Sequence, residues 1–207
     1  MNKLEVGGTL HQEKENKSII NLIGIEEKEH KYYKVLNNKE LTINVFSLKR
    51  LDLTIDVDLY DSSKLYVNVA FINKDKVNLN ININLLKNNS LANVSVRGIN
   101  KGNDINIILN SSDLLGTDGN IVNEYAKIIN HSDAKNILIP NLLVNSYNIV
   151  ANHGVSIGSL DKEMIFYLLS KGISKKEAYN LLEEGFILMY MEESIKEEIR
   201  KLIKGEK

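Results

Sequence analysis

Four histidines, three aspartates on one side of a strand-like run and a complete absence of cysteine are the chemistry this 207-residue chain displays. A neutral imidazole can ligate a metal or carry a proton. His153 stands in "NHGVSIG", between Asn152 and Gly154, where one kind of sequence gives way to another. It reads either as such a group or as a satisfied turn histidine, placed before a glycine that lets the chain bend. His11, His30 and His131 lack metal-ligand spacing, and "EEKEHK" at 26–31 reads as a solvated turn. Asp52, Asp56 and Asp58 suit acid–base or calcium chemistry, but equally a hydrated outer face, and the second reading is favoured. "GTDGN" at 116–120 lacks the lysine and following helix of a nucleotide loop, and no Ser–His–Asp arrangement is identifiable. Without cysteine there is no disulfide, no thiolate zinc site and no usual iron–sulfur ligand on this chain.

Several function classes are excluded by composition. Lys and Arg number 26 against 27 Asp and Glu, so no global field draws nucleic acid or anionic lipid. The start, "MNKLEVGGTLHQEKENK", has no apolar h-region, and no window approaches 18 apolar residues. A cytoplasmic protein is expected.

The elements that must position these residues follow two periods. From about 41 to 110 apolar residues alternate: Leu51, Leu53, Ile55, Val57 and Leu59, then Leu65, Val67, Val69 and Phe71, then Val77, Leu79, Ile81, Ile83 and Leu85. Period two is the strand signature, with one face buried. Turn clusters such as "DSS" (61–63), "NKD" (73–75) and "KNNS" (87–90) separate runs that begin roughly every 12 to 16 residues, with no helix between. An antiparallel sandwich and a parallel β-helix both fit. The asparagines at 78, 80, 82 and 84 suit columns in a stacked coil, and suit a sandwich face nearly as well.

After residue 158 the spacing turns helical. Asp161 reads as an N-cap, with Glu163 in the first turn and Gly172 at the C′ position. "SKKE" (174–177) and "SIKE" (194–197) read as capping boxes. The first opens a helix with Ala178, Leu181, Leu182, Gly185, Phe186 and Met189 on one face; the second opens one with Ile195, Ile199, Leu202 and Ile203.

The segment 152–186 closely resembles the C-terminal signature of the SufB/SufD family of the SUF iron–sulfur assembly system. The family pattern, His-Gly-Ala-Thr-x-Gly-x-Leu-Asp, then Phe-Tyr-Leu, Arg-Gly-Ile and a terminal Gly-Phe, stands here as His153 to Asp161, Phe166-Tyr167-Leu168, Lys171-Gly172-Ile173 and Gly185-Phe186. "IPNLLVNSYNIVANHG" resembles the segment preceding the family's histidine. The resemblance implies a right-handed parallel β-helix (1–158) with a small C-terminal α-helical subdomain (159–207). It implies dimerisation through the β-helix, with itself or with a SufB-like chain, and docking of the helices onto SufC, an ABC-type ATPase. It also implies that the residue matching His153 lies near the dimer interface, where nascent clusters are assembled. His153 is then a candidate metal ligand, and His131 a second candidate if stacked coils bring it close. Leu160, Asp161, Phe166, Tyr167, Leu168, Gly172, Ile173 and Phe186 are the expected ATPase-docking residues. No cofactor is expected to bind tightly: iron or a cluster would be transient cargo, and ATP would sit only on the partner.

Departures from the pattern matter. The chain is about half the family's usual length, and "KIINHSDAKNILI" lacks the SufB-type cysteine, leaving histidine or carboxylate as ligands. Gly154 stands where SufB chains more often carry glutamate, so the motif is SufD-like. Lys171 in place of arginine keeps the charge and loses the planar fork. Residues 164, 165, 166, 168 and 169 cannot all be buried on one side of a helix, so apolar surface is left for the β-helix end or for another protein. The expected function is a non-catalytic scaffold subunit. A β-helix module that has lost cluster assembly is the first alternative. A carbohydrate enzyme using the aspartate face is the second, against which the 6 % aromatic content counts.

Overall fold

The computed structural model describes residues 10–14, 16–25 and 27–205; the side chain of His11 and most of the stretch read for a leader lie outside them. Twelve strands come first among the described residues. β1 (Leu10–Lys14), β2 (Lys17–Ile23), β4 (Glu40–Ser47), β6 (Lys64–Asn73), β8 (Leu91–Asn100), β10 (Asn120–Asn130) and β12 (Ile149–Gly158) form one sheet. β3 (Glu29–Val35), β5 (Leu51–Leu59), β7 (Val77–Leu85), β9 (Ile105–Asp113) and β11 (Asn136–Leu143) form the other. From β2 onward the chain alternates between the two sheets, and every pairing is parallel; only the β1–β2 hairpin is antiparallel. That is a parallel β-helix, and it decides against the sandwich.

Its register explains the alternating pattern. Paired residues sit directly above one another, so inward positions build apolar columns such as Ile43–Val67–Val94 and Ile55–Ile81–Leu109, all essentially inaccessible to solvent. Outward positions build amide ladders. Asn82 Nδ2 donates to Asp56 Oδ1 (2.6 Å), Asn110 to Asn82 (2.7 Å) and Asn141 to Asn110 (2.8 Å). Each amide has one donor and one acceptor pointing along the stack, so a column of them satisfies itself at about 1 kcal/mol net per bond. Asp56 and Asp58 terminate two such ladders, taking bonds also from His30 and Tyr32, while Asp52 pairs with Arg50. The aspartate face is therefore the hydrogen-bonded end of a ladder. His30 belongs to β3 rather than to a turn.

Gly98 shows how tightly the lumen is filled. A Cβ there would lie 2.1 Å from Cζ of Phe71 and 2.7 Å from Cδ1 of Ile128. Gly98→Ala is expected to cost about 1–3 kcal/mol of stability through overpacking, read as a lowered denaturation midpoint at unchanged slope.

Three helices follow: α1 (Lys162–Ser170), α2 (Lys175–Leu188) and α3 (Glu193–Lys204). α2 and α3 cover the outer face of the larger sheet. Phe46, Ala70, Ile72, Ile99 and Ile129 from the strands meet Ile187, Leu188, Met191, Ile195 and Ile199, forming a second core. Asp161 and Ser174 cap α1 and α2 as their sequence predicts. The third cap differs: α3 begins at Glu193, and Ser194 lies inside the first turn without capping it. Burial of Met191 beside Ile195 and Ile199 fixes where this helix starts, overriding the local signal. The inward stripe of α2 is also rotated from the predicted one. Leu181 and Met189 are exposed, while Glu183 is buried with Ile187 and Leu188. Glu183 is drawn inward by two groups on the β-helix, the Lys101 ammonium (Nζ at 2.6 Å) and the His131 imidazole (Nε2 at 3.0 Å).

Candidate functional site

β11 and β12 make the last coil. Neither has a partner on its outer edge among the described residues, so the β-helix ends open. On β12, side chains at Ala151, His153, Val155 and Ile157 share the inward parity of Val122, Glu124, Ala126 and Ile128 below them. No coil covers them, and His153, Val155 and Ile157 are exposed. His153 thus lies mid-strand and not in a turn. Gly154 is extended chain beneath the Tyr125 ring, where a Cβ would meet Cδ1 at 3.2 Å. Any larger side chain at this position would compete with that ring.

Glu124 is paired with His153 in the β10–β12 register and is completely buried. The Ser111 hydroxyl, reaching from β9, donates to its Oε1, while Oε2 has no partner. Burial pushes the Glu124 carboxyl up to about 7, against the opposing pull of the Ser111 bond. The native carboxyl holds its proton at pH values where the unfolded chain, near 4.5, has released it. Stability carried by this group is therefore highest below about pH 4.5 and falls as pH rises through 7, by about 3 kcal/mol in all. Glu124→Gln is expected to remove that slope, measured as the difference between the two proteins' denaturation free energies at pH 5 and pH 8.

His131 does not join this site. It follows β10 and lies seven positions beyond the Glu124–His153 row, about 23 Å at strand rise. Its imidazole is spent on Glu183. The expectation of a second ligand fails because stacking aligns residues along the coil axis, not residues near each other in sequence.

The docking candidates divide into two groups. Leu160 is inserted in the second core, Asp161 bonds the N–H groups of Glu163 and Met164, and Gly172 (φ 84°) closes α1 with Ile173 N–H on Leu168 O. Phe186 packs on the β-helix, its ring 4.7 Å from the Arg97 guanidinium, which Tyr190 covers from another side at 4.5 Å. These residues shape the subdomain. Leu168 and Ile173 are half-buried, whereas Phe166 is 73 % and Tyr167 54 % exposed, with Met164 and Leu169 exposed nearby. α1 buries none of its residues.

A sequence profile for the SufBD core domain of the SUF system of FeS cluster assembly matches residues 47–186. The chain belongs to the SufB/SufD family. Two similar proteins carry the same assignment. An iron–sulfur cluster assembly SufBD family protein of Archaeoglobus fulgidus is 28 % identical over 131 residues, 58 % of this chain and 33 % of that protein. The iron–sulfur cluster assembly protein SufD of Bacillus subtilis is 36 % identical over 62 residues, 30 % of this chain and 14 % of that protein. This SufBD-family chain thus matches a third or less of either relative's length.

Sequence reasoning missed Glu124 and Ser111. The signal was present: in "NIVNEYAKII" the glutamate takes the parity of Val122, Ala126 and Ile128, and Ser111 that of Ile107 and Leu109. A charged residue on the apolar parity of a solenoid strand points into the lumen. Asp113 breaks the same parity, but its carboxylate is fully engaged by Asn145, Ser146 and Thr117.

Proposed function

We propose that this SufBD-family chain is a non-catalytic scaffold subunit of an iron–sulfur cluster assembly complex, working with a SufC-like ABC ATPase in the cytoplasm. The observation that carries the reading is α1, a capped helix in the family-matched region that rests on the second core through Ile165 and leaves Met164, Phe166, Tyr167 and Leu169 exposed. Apolar surface of this kind is removed from water by a partner. Nucleotide chemistry belongs to that partner.

The open coil supports the second half of the reading. Among the described residues β12 and β11 present unpaired strand edges, and such edges recruit another chain. A second SufBD-type chain, whether a copy of this one or a longer SufB-like homologue, would pair there and bring its own groups to His153. His153→Ala is expected to preserve folding and ATPase capture while lowering cluster assembly at least tenfold in cells. Unchanged assembly would remove His153 from the site.

Anaerobic co-expression of tagged chain with an ABC ATPase tests the partnership: the ATPase should co-purify in stable proportion. The missing cysteines favour one alternative, a module that keeps this partner and assembles nothing. It predicts the same capture with no iron or sulfide.

A further inference from the structure

We propose that Glu124 is the second donor of the His153 site, so that this chain offers a ferrous ion one imidazole and one carboxylate at the open end of its β-helix. The inference rests on the reading of His153 given above and extends it to a residue outside the family signature.

The geometry points to Glu124 for three reasons. First, its place in the stack is specific. Along the columns holding Glu124 and Ser111, the rows below carry Val94 and Ile83, and the rows above carry His153 and Leu142. The imidazole is thus the only polar side chain among these four neighbours, and it lies on the solvent side. Second, the carboxyl is half used. Ser111 orients it through Oε1 and leaves Oε2 buried without a partner. His153 likewise has no hydrogen bond or ion pair among the described residues, so two donors in adjacent rows stand free. Third, the arrangement is costly for a purely structural role. An unsatisfied carboxyl oxygen in an aliphatic lumen destabilises the fold, where a leucine in the same column would fill space at no such cost.

Carboxylate with imidazole is a donor set that iron accepts. Two protein donors leave most of a ferrous ion's coordination positions open, for water, sulfide or groups from a second chain across the open end.

The test uses the full-length protein and cobalt(II) as a spectroscopic probe for ferrous iron, titrated anaerobically, with thermal denaturation run in parallel. The expected result is a visible cobalt band that weakens with at least tenfold lower affinity in both Glu124→Gln and His153→Ala. Glu124→Leu should abolish the band while melting at or above the wild-type temperature at neutral pH. Wild-type affinity in Glu124→Gln and Glu124→Leu would overturn the proposal, as would a wild-type protein that shows no cobalt band. A Glu124→Leu variant that melts well below wild type would also overturn it, since the carboxyl would then be structural. None of these outcomes touches ATPase capture, so failure here and failure of the scaffold reading are separable.

Discussion

Phe166→Asp combined with Tyr167→Ala is expected to weaken capture of the ABC ATPase about a thousandfold, with melting temperature and circular dichroism unchanged. The two side chains are adjacent on α1, largely exposed, and absent from both cores. Removing them costs the folded chain nothing it has buried. At an interface the account differs: an aromatic anchor buried by a partner is worth about 2 kcal/mol or more on truncation. Two together reach about 4 kcal/mol, which is about three decades in affinity. The aspartate adds a charge that must be desolvated on docking. Asp161 and Ser174 still cap their helices, and Gly172 still supplies the left-handed turn, so the scaffold of the surface persists. Retained affinity in this double variant would show that α1 is not the contact.

Glu183→Ala should loosen the joint between the helices and the β-helix. Glu183 is the one acidic residue of the inward face of α2, and it accepts from Lys101 and approaches His131. Removing a buried carboxylate leaves the Lys101 ammonium without its counter-charge and the His131 imidazole without its partner. The full penalty for breaking a buried pair is about 3–5 kcal/mol. Lys101 and His131 are about a third exposed and regain water, so about 2–3 kcal/mol is expected. Hydrogen exchange should read this locally: amides of α2 and α3 exchanging ten- to a hundredfold faster, with β5 to β9 unaffected. A uniform acceleration across both regions would mean that the joint is not a separable unit. If ATPase closure is transmitted to the β-helix, Glu183 is on its route, because α2 bridges the exposed α1 and the larger sheet.

Much of this molecule was legible before its coordinates. The alternation of Leu51 to Leu59 against Asp52 to Asp58 carried the strands, since period two is a local consequence of the pleat. Asp161 and Ser174 carried two helix starts, since a cap bonds N–H groups two or three residues away. What failed was non-local. The Ser194 signal lost to burial of Met191, Ile195 and Ile199, and the stripe of α2 turned so that Glu183 could meet His131 and Lys101, some 50 and 80 residues earlier in the chain. Parallel against antiparallel pairing could not be read from periodicity, because both put alternate residues inside. The His153 motif was legible through its resemblance alone. Its neighbour Glu124, 29 positions earlier, became visible only with the coil register.

Iron and acid-labile sulfide, quantified on tagged chain purified anaerobically with and without a co-expressed ABC ATPase, test the account most directly. The expected result is ATPase bound through α1 and iron with sulfide in near-equal amounts, both falling together in the Phe166→Asp/Tyr167→Ala variant. Chain that binds no ATPase, or that binds it and never carries iron or sulfide whatever second SufBD-type chain is supplied, would contradict the assignment as an assembly scaffold.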